Sequence, residues 1–321
     1  MTNVVSSVPH EIYPRSLIDL ATIIRGSLTK EDEEFIQKIK KIDWNKYHLN
    51  LSHPQDRHVA AHALALGIPI FHGFANFYAL TFYPHPEVIR SVNAAKGRPI
   101  EQLASITTTK SYLENLFDWE QLPHGFTRKQ IMTMMHTFFE LGPFGFRGPA
   151  SDSVDSFLIK EIDGKKTIQV IAPGYHCPSN ELLNEALHEA GISYFAATSP
   201  NISRNVTGSE EPAHFRIKGI KRDFGGRKPG FVMIGHQNEH EARKRHPFHD
   251  QMSTSIISFD KEYPLQDGKP IVAIERHGSL AMPRIIEILN KLEIGYTIGP
   301  AASKRLLMRK YPLLHRLLRT V

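Results

Sequence analysis

The sequence predicts an α/β fold, and three stretches carry that prediction. In the first, Val59, Ala60, Ala63, Leu64 and Leu66 form a helical apolar stripe, Gly67 stops it, and Ile68-Pro69-Ile70-Phe71 follows as a short strand. In the second, Leu182, Leu183, Ala186, Leu187 and Ala190 make the stripe, Gly191 ends it, and residues 192–196 make the strand. In the third, a strand over 271–274 delivers Arg276-His277-Gly278 ahead of an amphipathic helix over 285–292. Helix, glycine, strand and polar loop in that order place loops where α/β folds hold ligands.

A chain of 321 residues suits one principal core with additions. Residues 1–50 read as an N-terminal extension, 51–292 as the domain, with insertions near 111–150 and 205–250, and 293–321 as a tail. Apolar content of 41% and charged content of 22% are those of a soluble globular enzyme. Without an apolar run of about 18 residues no membrane span is expected, and the first residues lack a secretory pattern. With Cys177 as the single cysteine, no internal disulfide forms and a cytoplasmic location is expected. Cys177 itself reads as a half-buried small thiol. Net charge is +6, and residues 294–321 hold no acid but six cations: Lys304, Arg305, Arg309, Lys310, Arg316 and Arg319. Such a tail on a nearly neutral body favours polyanionic partners.

Along the chain, Thr29 caps a helix that is acidic at its start (Glu31, Asp32, Glu33) and basic at its end (Lys38, Lys40, Lys41). Residues 72–80 read as a loop after the first strand. Thr127 and Gln130 make a capping box ahead of Ile131, Met134, Met135, Phe138 and Phe139, a core stripe. Asp163-Gly164 marks a hairpin turn into a strand over 167–172, and Ser179 is expected to cap the second helix. The basic, glycine-rich stretch 218–230 reads either as a mobile lid or as a solvated loop. His236 and His240 have a helical ligand spacing but lack the H-E-x-x-H pattern, so with His246 and His249 they read as loop histidines without a structural metal. In the tail, leucine pairs at 306–307, 313–314 and 317–318 alternate with cations. They fit a helix packed on the body, or an anchor for RNA or an acidic membrane surface.

The densest chemical signal is the run 94–109, where Lys96 and Arg98 flank Gly97 ahead of Pro99. Arg98 can hold two phosphate oxygens in a planar fork, Lys96 adds a point charge, and Gly97 lets the backbone approach a ligand. Three further segments follow it: Thr198-Ser199-Pro200-Asn201, Thr254-Ser255-Ile256-Ile257 and Arg276-His277-Gly278. Together and in this order they resemble the K-x-R, T-S-A-N, S-T-I-V and R-x-G motifs of the YrdC-like threonylcarbamoyl-AMP synthases, over roughly residues 50–292.

The resemblance implies a YrdC-like twisted mixed sheet, flanked by helices, around a large basic cavity. It implies a nucleotidyltransferase that joins threonine, bicarbonate and ATP, with Mg²⁺, into L-threonylcarbamoyl-AMP for transfer RNA modification, and an association with double-stranded RNA. Carried over, Lys96 and Arg98 are the candidate catalytic residues and, with Ser199, Asn201, Thr254, Ser255 and Arg276, the candidate nucleotide ligands. Asn76 and Tyr78 are the candidate substrate ligands, from a stretch standing where the family has P-T-D-T-x-Y-G-L. The family's R-x-P corresponds to Ile171-Ala172-Pro173, where a carboxylate would lack a charge-assisted hydrogen bond of about 1.5–3 kcal/mol. Another amine, a residue from an insertion, or a nucleotide- or double-stranded-RNA-binding protein without the full reaction are the open alternatives.

Overall fold

Two capped helices begin the computed structural model, which describes residues 15–209, 211–228 and 230–311. Ser16 and Thr29 cap α1 (Leu17–Arg25) and α2 (Lys30–Lys40), each in a capping box closed by an aspartate three residues on. These helices bury Leu17, Leu20, Ile36 and Ile39 in the same core that underlies the sheet. At the end of the expected extension, β1 (Leu49–Asn50) pairs in parallel with β9 (Val232–Gly235).

The sheet has 12 strands among the described residues, ordered β1-β9-β2-β3-β8-β4-β7-β5-β10-β11-β12, with β6 paired to β7. These are β2 (Ile70–Phe74), β3 (Phe77–Phe82), β4 (Ser105–Thr107), β5 (Phe144–Pro149), β6 (Lys160–Ile162), β7 (Lys165–Ala172), β8 (Phe195–Thr198), β10 (Ile256–Ser258), β11 (Ile271–Arg276) and β12 (Gly295–Ile298). The sheet mixes parallel pairs (β2 with β9, β5 with β10, β11 with β12) and antiparallel ones (β3 with β8, β5 with β7). The fold is therefore α/β, with a twisted mixed sheet flanked by helices.

Helix α3 (Pro54–Ala65) packs on α6 (Ser179–Ala190), and both close on left-handed glycine stops. The Gly67 N–H donates to the Leu64 carbonyl and the Ile68 N–H to that of Ala63, which satisfies the last turn of α3. The Thr127–Gln130 capping box opens α5 (Arg128–Leu141), whose Ile131, Met134, Met135, Phe138 and Phe139 are buried.

Alternation along the strands separates two apolar groups. Tyr78, Leu80, Ile168 and Val170 belong to the main core, whereas Phe77 and Ala79 join Phe74, Ala213 and Phe215, with Ile171 beside them, in a second cluster.

Several local expectations change. Residues 72–80 are not a loop: β2 and β3 form a hairpin around Ala75-Asn76, Phe74 opposite Phe77, with Ala75 at φ 59°. Both strands are buried throughout, so they lack the polar alternation that marks a half-exposed strand. Ser179 is the first helical residue rather than the cap; its hydroxyl donates to the Gly73 carbonyl and ties α6 to the hairpin. The strand expected over 192–196 lies three residues later, and Cys177 is fully buried. Stretch 218–230 is largely α8 (Ile217–Phe224), which buries Gly219, Ile220 and Phe224 and turns its cations outward. Of the tail expected over 293–321, β12 joins the sheet beside β11, and the described residues 303–311 form neither helix nor strand; Arg316, Arg319 and the leucine pairs at 313–314 and 317–318 lie outside the described residues.

Candidate nucleotide cavity

One face of the sheet carries a cavity of about 870 Å³, within the range of roughly 300–1,000 Å³ that small-molecule sites span. Its floor comes from four neighbouring strands: Phe77 and Ala79 of β3, Ala197 and Thr198 of β8, Ser105 of β4, and Gln169 and Ile171 of β7. Its basic lining is Arg98, Arg204, Arg276, Lys304 and Arg305, against Glu211 as the acidic residue. The Glu211 carboxylate is in turn 3.0 Å from Arg309.

Arg98 enters from the end of α4 (Pro86–Lys96), where Gly97 takes the left-handed conformation at φ 68° and turns the chain toward the sheet. Its Nη1 donates to Thr198 Oγ1 at 2.6 Å. Burial lowers its pKa to about 10, which leaves it cationic at neutral pH. On the far side, Arg276 at the end of β11 donates through Nε to the Thr254 carbonyl and through Nη2 to Thr254 Oγ1, both at 2.7 Å. Each arginine is thus held by a threonine at the mouth of a different strand. Two such forks, with Ser199, Ser203 and Asn201 between them, can grip a polyphosphate.

Lys96 takes a different place. It is fully buried, does not line the cavity, and donates to the Ser199 carbonyl and to Thr198 Oγ1. Burial, with Arg98 beside it, holds its pKa well below the usual lysine value. Its carbonyl accepts the Ser203 N–H at 2.9 Å, so it positions the loop that carries Ser199 and Asn201. Ser255 is buried as well, bridging the Gly278 N–H and the Leu280 carbonyl. Tyr78 points into the main core and donates to Glu239 at 2.9 Å. Asn76, at the hairpin tip, is 2% exposed, and neither atom of its amide has a hydrogen-bond partner among the described residues. Of the nine residues named from sequence, the cavity therefore brings together Arg98, Ser199, Asn201, Thr254 and Arg276.

Gly97 also fixes the approach of α7 (Arg204–Thr207): a Cβ there would stand 2.1 Å from Val206 Cγ2. We expect Gly97→Ala to cost about 1–2 kcal/mol, from the left-handed backbone alone. The thermal unfolding midpoint would fall by several degrees; an unchanged midpoint would show that the turn relaxes.

Segment 303–311 runs beside the cavity and is tied down at both ends. The Leu306 N–H donates to the His277 carbonyl, and Arg305 donates to the Gly278 and Ser279 carbonyls while pairing with Asp250 at 2.7 Å. Beyond it, Arg309 donates to the Pro212 carbonyl and Tyr311 Oη accepts the Phe215 N–H. Lys304, Arg305, Leu306 and Leu307 line the cavity. Lys304 and Arg305 read in the sequence as tail charge, Thr198 stands in its motif without being named a ligand, and Arg204 and Gln169 carry no sequence signal, because their convergence depends on non-local strand pairing.

Among the described residues no three His, Cys, Asp or Glu side chains are placed to hold a metal ion. His236 precedes α9 (Glu239–Lys244) and His240 lies on it, so their spacing of four does not share a helix. Among the described residues Glu211 is the lining carboxylate and is paired with Arg309, and the lining side chains placed to meet phosphate charge are cationic: Arg98, Arg204, Arg276, Lys304 and Arg305. No described helix is long and apolar enough to cross a membrane.

No protein-family model and no curated protein matches the chain. Solved structures do resemble it. A doubly substituted variant of P. abyssi Sua5 aligns with a TM-score of 0.55 and 19% identity over 78% of this chain and 65% of that one. P. abyssi Sua5 complexed with L-threonine aligns with a TM-score of 0.54 and 18% identity over 81% of this chain and 66% of that one. The chain thus spans about two thirds of the length of the Sua5 structures it matches. What it shares with them, at this identity, is the fold.

Proposed function

We propose that this protein binds ATP in the basic cavity and uses it to adenylate a carbamate made from bicarbonate and a small amine. L-Threonine is the default amine, and the product would then be L-threonylcarbamoyl-AMP for transfer RNA modification. The observation that carries the reading is the pair of arginine–threonine clamps, Arg98 on Thr198 and Arg276 on Thr254, facing one cavity from separate strands. The Sua5-like fold supports it.

The amine nitrogen bonds to the carbon of bicarbonate and water leaves, giving a carbamate. A carbamate oxygen then attacks the α-phosphorus of ATP, the bond to the β-phosphate oxygen breaks, and pyrophosphate departs. Such a displacement needs alignment and charge neutralisation more than a protein nucleophile. Arg98 and Arg276 would neutralise the phosphates; Ser199, Asn201 and Thr254 would orient them and the ribose. Lys96 would act one step back, by fixing the loop at Ser199. Asn76, buried at the hairpin tip and outside the cavity lining, has no part in this step.

Pyrophosphate release from ATP and bicarbonate with added amine tests this. Release that depends on both bicarbonate and amine is expected. ATP uptake without release would leave a nucleotide-binding protein of the same fold. RNA binding that weakens steeply with salt, in the absence of ATP uptake, would replace it with the RNA-binding alternative.

A further inference from the structure

Arg147, Gln169 and Ser105 lie side by side on β5, β7 and β4: Arg147 is paired with Gln169, and Ser105 precedes Ile106 as Gln169 precedes Val170, the partner of Ile106. Ser105 and Gln169 line the cavity. Arg147 Nη2 donates to Gln169 Oε1 at 2.9 Å, and Gln169 Nε2 donates to Ser105 Oγ at 2.7 Å. Behind them the Arg147 side chain, 17% exposed, pairs with Glu275 at 3.1 Å, which holds the guanidinium in place. The relay has one direction. Arginine has no acceptor, so the amide oxygen faces Arg147 and the amide nitrogen faces Ser105; the flipped amide would set N–H against N–H. Ser105 Oγ therefore accepts from Gln169 and keeps its own proton to donate, and among the described residues no group takes that proton. Two residues along β7, on the same face, Ile171 lines the cavity with no donor in its side chain.

From this relay, and resting on the function proposed above, we infer that Ser105 seats the carboxylate of the amino acid, with Gln169 and Arg147 as its positioning residues. Gln169 Nε2 carries a second hydrogen and Gln169 Oε1 is occupied by Arg147, so the pair offers donors to the cavity. A carboxylate only accepts and matches it; an ammonium only donates and does not. The cation behind the amide polarises both hydrogen bonds in the sense that strengthens donation toward an anion. A phosphate also only accepts, but the cavity meets it with the guanidinium forks of Arg98 and Arg276. On β8, Ala197 pairs with Ser105, and the next residue, Thr198, holds Arg98. An amino acid seated at Ser105 thus lies beside a clamp that grips the phosphates.

ATP affinity of the full chain is measured by calorimetry. Pyrophosphate release with ATP and bicarbonate is then compared for L-threonine and 1-aminopropan-2-ol, the same amine without its carboxylate. We expect the wild-type chain to favour threonine by about tenfold or more in kcat/KM. Ser105→Ala should lower kcat/KM for threonine by roughly 10- to 150-fold, the range of one hydrogen bond to a charged group, through a raised KM, and leave 1-aminopropan-2-ol and ATP affinity within about twofold. Ser105→Thr, which keeps the hydroxyl, should retain most of the threonine activity. Gln169→Glu keeps the contact with Arg147 but accepts the Ser105 proton itself and sets a second carboxylate beside the first, so its loss for threonine should at least equal that of Ser105→Ala. Use of 1-aminopropan-2-ol as good as or better than that of threonine, an unchanged threonine KM in Ser105→Ala and Gln169→Glu, or equal losses for both amines would overturn the inference while ATP binding and release stand. ATP affinity falling in step with threonine use would assign Ser105 to the nucleotide and overturn it too. No release from the wild-type chain with either amine would remove the proposed function and the inference together.

Discussion

Lowering the pH from 6.5 toward 4 is expected to strip several kcal/mol from the stability of this protein and to unfold it. Burial depresses the pKa of three histidines, to about 3 for His72, about 4 for His236 and about 3 for His249, from an ordinary 6.5. In the unfolded chain these imidazoles take up protons as the pH falls through 6.5, whereas in the folded chain they stay neutral until about pH 4. The unfolded state then binds more protons, so stability rises with pH across this window and is lost on acidification. At pH 5 each histidine lies about 1.5 units below its unfolded pKa, a cost on the order of 2 kcal/mol apiece. Three together rival the whole stability of about 5–15 kcal/mol typical of a domain. His246 is shifted in the same direction by the same cause. Urea midpoints measured from pH 7 to pH 4.5 would fall steeply. His249→Asn should flatten part of that slope, and a midpoint independent of pH would contradict the assignment of these rings as buried and neutral.

The second large effect concerns the two arginine clamps. Removing Arg98 or Arg276 by substitution with methionine should weaken ATP binding by roughly 10- to 150-fold, the 1.5–3 kcal/mol of a hydrogen bond to a charged group. Arg98→Lys should recover little of it, because an ammonium cannot reproduce the planar fork that spans Thr198 and a phosphate. Lys96→Met provides the contrast. Its ammonium is turned to the Ser199 carbonyl and away from the cavity, so the expected change in ATP affinity is a few-fold, alongside a shift in thermal stability. Calorimetric titration of the three variants orders them. Equal losses for Lys96→Met and Arg98→Met would mean that the lysine reaches the nucleotide after all.

Much of this was legible in the chain because it is local. The Thr127–Gln130 box opens α5 as its spacing requires, and Asp163-Gly164 turns with φ of 52° and 76°, the conformations that pair of residues tolerates. Arg98 and Arg276 were legible because each stands at the end of a regular element with its partner threonine in a short motif. What the sequence hides is direction. In a strand buried on both faces, polarity no longer tells inside from outside, so Tyr78 drew attention while its neighbours Phe77 and Ala79 form the cavity floor. Lys96 reads as a ligand by type, yet as the last residue of α4 it is carried under the Thr198 loop. The cations of 303–311 read as a free tail until the backbone contacts of Arg305 and Arg309 fix them beside the cavity.

The order of strands has a consequence for how the chain matures. Along β3-β8-β4-β7-β5-β10 no neighbour in space is a neighbour in sequence, and β1 waits for β9. Loop closure over such separations is entropically slow, so refolding belongs to the millisecond-to-second regime of non-local topologies. A nascent chain emerging from the ribosome could close the β2–β3 hairpin at once but would hold β1 and β4 unpaired until β7, β8 and β9 arrive. In that interval exposed strand edges invite self-association, and chaperone capture would be measured as a higher yield of monomer when synthesis is slowed or cooled.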